Sequence, residues 1–331
     1  MRQILFILSL ASFFLTAFPV IAQEDQIIRA DTVIISGDTL VMIGDSLIIE
    51  PTPIELYWES GGNFTLSIQQ VALSNWAAGG ASSFALNTGL QLFASYKKDK
   101  KIWDTKLTVN YGINRQGGRA YPTRKTNDNF IFISKYGREL TEKIYLSTQI
   151  DARTQLLEGY RYFRPAGAEQ ENRNRISDLL SPGYVQSSTG LNYQVEYGTN
   201  NKFSAIFSPF TGRFTIVLDD SLSNAGAFGV VPGEKVRPEA GISVGSSIDT
   251  QLMENIRWKA DINLFSNYER LGNVVVNFNS VINLRVNQYI TTRIETVMIY
   301  DESVFIEQDD GTASRAIQLQ NLINFGIAID F

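Results

Sequence analysis

From about residue 60 to residue 331 the chain returns repeatedly to one pattern, in which every second side chain is apolar. Near the carboxy terminus Ile317, Leu319, Ile323, Phe325, Ile327, Ile329 and Phe331 share one parity, and Gln318, Gln320, Asn324, Gly326, Ala328 and Asp330 share the other. A period of two is the pleat of a β-strand, whose successive side chains point to opposite faces. The alternation recurs at 84–96, 103–113, 144–150, 191–197, 256–264, 274–286 and 290–300, and less regularly near 62–74, 129–138, 202–208 and 240–249. The total is about twelve strands, an even number in the range of membrane barrels, and nothing past residue 60 reads as a long helix.

Two further patterns separate a barrel from a soluble sandwich. The connections alternate in length: KKDKK, GRELTEK, GTNNK, DTQLMEN and Asn287-Gln288 are short, while 114–128, about 154–184, about 209–238, SNYERLGN and DESVFIEQDDGTASR are longer. Short turns on one rim and long loops on the other are how outer-membrane barrels are built. Aromatic residues flank the short turns at Tyr96, Trp103, Tyr136, Tyr197, Phe203, Trp258, Tyr289 and Phe331, as a girdle at a membrane interface requires. A sandwich would also alternate, with its apolar parity inward, but it holds about seven to nine strands in roughly 100 residues. The other parity here is rich in Asn, Gln, Ser, Thr and Gly with few Lys, which suits a lumen better than a solvent face. The fold expected is an all-β transmembrane antiparallel up-and-down barrel, residues 58–331.

Composition excludes much chemistry. The chain has no cysteine and no histidine, which removes thiolate nucleophiles, disulfides, imidazole bases and the usual zinc ligands. The net charge of −5 gives no basic stripe for nucleic acid. Adjacent acids at Asp219-Asp220 and Asp309-Asp310 read as solvated loop residues, and the second pair with Gly311 and Thr312 as a polar turn rather than a calcium site. No enzyme, cofactor or metal is expected. Residues 1–22 read as a cleaved signal peptide, with Arg2 before an apolar run and cleavage after Ala22. Residues 23–57 form an amino-terminal repeat and linker: DTVIISG, DTLVMIG and DSLIIEP start at Asp31, Asp38 and Asp45, and Gly-Asp punctuation predicts three short strands. This segment reads as a tether, with docking of a periplasmic partner by 31–50 as the other reading.

Several segments resemble the domain-of-unknown-function family 3078, predicted outer-membrane proteins of Gram-negative bacteria: SNWAAGG at 74–80, KTNDNFIFISKYG at 125–137, TQLLEGY at 154–160, ISDLLSPGYV at 176–185, SPFTGRFTIVLDD at 208–220 and FSNY at 265–268. The resemblance spans roughly 58–331. It implies insertion by the outer-membrane assembly machinery, with Phe331 as the assembly signal, and it supplies no catalytic residue or substrate.

If the polar parity faces inward, Asp104, Lys106, Asp151, Arg153, Glu196, Arg257, Lys259, Asp261, Arg285, Arg293, Glu295 and Asp330 line the lumen. Mixed charges there either line a narrow wet channel or cross-link into a plug. The long loop at 154–184 carries Arg161, Arg164, Arg173 and Arg175, suited to lipopolysaccharide phosphates or to a constriction, with a short helix expected at 176–180. The function expected is a monomeric outer-membrane barrel, a narrow channel or binding barrel for small polar solutes. The alternative is a structural or adhesion barrel with a closed, salt-bridged lumen whose loops and amino-terminal repeat bind partners. About twelve strands and no plug-sized domain argue against a TonB-dependent transporter.

Overall fold

The computed structural model describes residues 39–43, 46–50, 57–73, 81–117, 120–165, 167–199, 201–307 and 313–330. The chain divides between Leu56 and Tyr57 into two units. In the first, β1 (Thr39–Ile43) and β2 (Ser46–Glu50) pair antiparallel, with Ile43 opposite Ser46. The repeat strand expected from Asp31, the leader and its cleavage point lie outside the described residues.

The second unit is a wall of strands. In chain order these are β3 (Trp58–Val71), β4 (Ser83–Lys98), β5 (Lys101–Gln116), β6 (Thr123–Thr141) and β7 (Ile144–Thr154). A small hairpin follows, β8 (Gly159–Phe163) with β9 (Asn172–Ser177), and then β10 (Gly183–Tyr197) and β11 (Asn201–Ile216). The short helix α1 (Asp220–Asn224) precedes β12 (Val236–Met253), β13 (Ile256–Asn267), β14 (Val274–Arg285) and β15 (Ile290–Tyr300). The hairpin β16 (Ile306–Glu307) with β17 (Ala313–Ser314) leads to β18 (Gln318–Asp330). Twelve of these strands, all but the two small hairpins, pair antiparallel with their sequence neighbours, and β18 returns to β3 to close the barrel. Closure satisfies backbone groups that lipid cannot.

Burial decides which parity faces in. Asn192 and Thr215 are fully buried, whereas Ile323 is 74% and Phe207 49% exposed. Polar side chains occupy the interior and apolar ones the outer surface, the reverse of a sandwich, so the molecule is a transmembrane barrel. The connections sort as the sequence suggests. Two residues join β4 to β5, β6 to β7 and β12 to β13 on one rim, and the opposite rim carries the hairpins and α1.

Two expectations change. The stretch 209–238 is wall at both ends, since β11 runs to Ile216 and β12 starts at Val236, and only 217–235 connects them. A bulge makes this possible: the register of β11 shifts between Ser208 and Thr211, which absorbs Pro209 and moves the odd-numbered Thr211, Arg213 and Thr215 to the inner face. Gly190 of β10 lies beneath the bulge, where a Cβ would fall 2.0 Å from the Phe207 carbonyl oxygen. The helix expected at 176–180 is also absent. Asn172, Arg173, Asn174 and Arg175 pair with β8, and Asp178 bridges to Ser181. Cross-strand pairing with Tyr160 and Tyr162 outweighs the weak helical tendency of ISDLL.

Candidate functional site

The site is the lumen, and its polar side chains fall into layers. Near the long-loop rim Arg213, Arg237, Glu239 and Asp301 form a buried cluster of two cations and two anions. Arg213 lies 2.8 Å from Asp301 and 3.7 Å from Glu239, and Arg237 lies 3.3 Å from Glu239 and 3.7 Å from Asp301. Arg237 also donates to the Gly229 carbonyl, tying the β11–β12 loop to the cluster, and Asp301 accepts from the Ser303 amide. The Phe265 ring, itself buried, lies under the Arg213 guanidinium at 5.7 Å, with Tyr184 at 5.3 Å. Such charges cannot be desolvated singly, so each is matched by an opposite one.

At mid-height Arg153 donates two bonds to Asp151, at 2.9 and 3.1 Å, and Asn279 donates to Asp261. Arg293 pairs with Glu295 at 3.2 Å. With the Gln91 amide oxygen turned toward it, Arg293 also donates to Gln91 from across the wall. Toward the short-turn rim Asp249 accepts from Arg257 at 2.6 Å and pairs with Lys259 at 3.3 Å, while Glu196 faces Lys202 at 3.6 Å, both largely exposed.

These layers leave two cavities that share no lining residue. One, of about 490 Å³ including space open to solvent, lies between Asp151, Arg153, Gln186, Asn263 and Asp301. The other, of about 400 Å³ on the same terms, lies between Thr65, Asn87, Asn110, Asn127, Arg293 and Glu295.

Of the residues expected in the lumen, Asp151, Arg153, Arg293 and Glu295 line these cavities. Asp104 and Lys106 hold inner positions on β5, and Asp104 stands opposite Lys135, which the sequence reading omits and which reaches Ser204 at 3.5 Å. Arg257, Lys259 and Asp261 follow the same face of β13, Arg285 lies exposed at the short-turn rim, and Asp330 stands opposite Asn63. Nothing is described of the Asp330 side chain or of Phe331. The sequence reading misses Arg213, Arg237, Glu239 and Asp301. Phe210, Gly212, Phe214 and Ile216 already alternate with Thr211, Arg213 and Thr215, but Pro209 disguises the strand as a loop.

Trp58, Tyr96, Trp103 and Tyr136 are successive cross-strand neighbours above the short turns, with Trp58 5.0 Å from Tyr96 and 5.8 Å from Trp103. Trp103 and Trp258 donate their indole N–H to Ser134 and Ser280. Tyr197, Phe203 and Tyr289 stand at other short-turn strand ends.

On the opposite rim the β8–β9 hairpin stacks arginines on tyrosines. Arg124 lies 4.1 Å over Tyr162, and Arg173 4.0 Å over Tyr160 and 4.7 Å over Tyr121. Arg175 meets Asp219 at 2.6 Å and Glu158 at 3.2 Å; the Glu158 charge foremost raises its pKa. Asp219 caps α1 by accepting from the Leu222 amide, and that bond, with Arg175, holds its carboxyl below the usual range. Asp219 is therefore a structural cap, and Asp220 pairs with Lys235. Asp309 and Asp310 lie outside the described residues.

Residues 68–160 match the family model described as a protein of unknown function (DUF3078), a span narrower than the 58–331 over which the quoted motifs lie. No curated protein matches the chain. Among solved structures it is similar to an outer membrane channel from Pseudomonas putida F1, at 11% identity over 85% of this chain and 100% of that chain, with a TM-score of 0.36. The toluene transporter TodX of Pseudomonas putida gives 11% identity, 82% and 88% coverage and a TM-score of 0.32. The translocator domain of the autotransporter NalP from Neisseria meningitidis gives 8%, 82%, 86% and 0.34.

Proposed function

We propose that the protein is an outer-membrane barrel that binds small polar solutes in its lumen and passes them through a narrow, segmented path. The observation that carries this reading is the pair of separate cavities, each lined by amides, hydroxyls and mutually neutralised ion pairs. Uncharged or zwitterionic solutes of modest size suit such walls, because paired charges offer hydrogen bonds without a strong net field. The buried cluster at the long-loop rim acts as a constriction above the larger cavity. The lipid-facing wall, the girdle over the short turns and a leader cleaved after Ala22 fit export to the outer membrane, with Phe331 read by the assembly machinery. In this reading the β8–β9 arginines meet lipopolysaccharide phosphates, and the repeat at 31–50 is available to a periplasmic partner.

Planar-bilayer recording of the purified monomer tests the reading. Discrete small conductance steps are expected, larger in Arg213→Ala than in the native protein. Silence from both proteins, with the barrel shown folded, overturns the channel reading and favours a closed structural barrel. Sequencing the amino terminus of membrane-extracted protein checks the leader.

A further inference from the structure

The two ends of the lumen hold charge differently. At the long-loop end the charged side chains are buried and matched, with Arg213 6% and Asp301 4% exposed. Toward the short turns the inner face is open: Lys106, the sixth residue of β5, and Lys259, the fourth of β13, are exposed although each points into the barrel. Exposure at an inner position is exposure to the lumen, so this half of the barrel is a cup whose mouth is the short-turn rim.

Lysines converge in the cup from three parts of the wall. Lys135 on β6, half-buried, crosses to β11, where its Nζ lies 3.5 Å from the Ser204 Oγ, one inner position along from Lys202. On the rung that runs from β11 to β13, Lys202 stands opposite Asp249 and Asp249 opposite Lys259. The Lys106 charge, from β5, acts on both Lys135 and Lys259, and that of Lys202 acts on Lys135. The carboxylates nearby are engaged elsewhere: Asp249 is shared by Arg257 and Lys259, Glu196 faces Lys202, and Asp261 accepts from Asn279. Asp104 stands opposite Lys135 without an ion pair, and among the described residues neither Lys106 nor Lys135 is in ion-pair contact with a carboxylate. Like charges gathered in a partly desolvated lumen repel one another, and an anion between them relieves the repulsion.

We propose that the short-turn half of the lumen is an anion site, in which Lys106, Lys135 and Lys259 hold a small phosphate-bearing solute that enters from the periplasm. Lysine meets phosphate as a point charge, and three ammonium groups from separate strands suit an anion with several oxygens. Short turns are the periplasmic ends of outer-membrane barrels, so the mouth of the cup faces that compartment. This rests on the reading of the lumen as a space for polar solutes, and gives its periplasmic half a charge preference that the two neutral-walled cavities lack.

The test titrates the full chain in detergent micelles with inorganic phosphate and with glucose 6-phosphate, read by calorimetry and by the thermal transition. Both are expected to bind once per barrel and to raise the transition, and glucose to do neither. Lys106→Gln and Lys135→Gln should each weaken binding about tenfold, whereas Lys100→Gln, in the β4–β5 turn, should leave it unchanged. Without ligand, Lys106→Gln should melt no lower than the native protein, because it removes repulsion; a lysine that only supports the fold would melt lower. Absence of binding, binding that survives in the double variant, or an equal loss in Lys100→Gln each overturns the site. Tighter binding of glucose 6-phosphate identifies a phosphate ester as the solute, and tighter binding of inorganic phosphate the free anion. Conductance recorded alongside keeps the two readings apart: steps without phosphate binding defeat the anion site alone, and silence with phosphate binding defeats the channel alone.

Discussion

Asp301→Asn removes one of four charges from the buried cluster while keeping its shape. Asp301 sits 2.8 Å from Arg213 and 3.7 Å from Arg237, and its side chain is 3% exposed. At an effective dielectric constant of about 20 those pairs are worth about 6 and 4.5 kcal/mol in gross attraction. Desolvation of the same groups offsets much of this, and stripping one partner from a buried pair costs about 3–5 kcal/mol net. The asparagine oxygen can still accept from the Ser303 amide, so the turn after β15 survives and the loss is electrostatic. Two arginines would then share Glu239 alone. Equilibrium urea unfolding in phospholipid vesicles, followed by tryptophan fluorescence, should show a loss of about 3–5 kcal/mol. Replacing both partners, Arg213→Met with Asp301→Leu, should recover at least half of it, because no charge is left uncompensated. An Asp301→Asn protein within about 1 kcal/mol of the native one would refute the reasoning and mean that water already solvates the cluster.

Three further outcomes follow from the same geometry. Gly190→Ala puts a Cβ 2.0 Å from the Phe207 carbonyl oxygen, a clash with backbone, and should cost about 1–3 kcal/mol in the same unfolding assay. Leu191→Lys, on the lipid face, should cost up to about 2–4 kcal/mol according to its depth, whereas lysine at the inner, rim-exposed position of Glu196 should change stability by less than about 1 kcal/mol. Asp219 has its folded pKa held below that of the unfolded chain, so its contribution is present above about pH 4 and lost as pH falls through the depressed value. Hydrogen exchange at the Leu222 amide, corrected for intrinsic rate, should accelerate in that acid range and not between pH 5 and 8; acceleration near neutrality would exclude Asp219 as its cause.

Alternation alone carried the barrel, its strand number and the parity that faces lipid, because a strand's period leaves no freedom about which residues share a face. Loop lengths told the short-turn rim from the long-loop rim for the same local reason. The inner positions of Asp151, Arg153, Arg293 and Glu295 were legible in the same way. What the sequence could not carry was anything that depends on register between distant strands. The bulge at Ser208 resets the parity of β11 and brings Arg213 inside, and the meeting of Arg213, Arg237, Glu239 and Asp301 joins β11, β12 and the loop after β15. The closing pair, β18 with β3, is laddered over four residue pairs and depends on how β3 crosses Gly326, a close approach that only closure of the whole barrel imposes. Local chemistry wrote the wall; the curvature needed to close it chose which charges meet and where the wall is weakest.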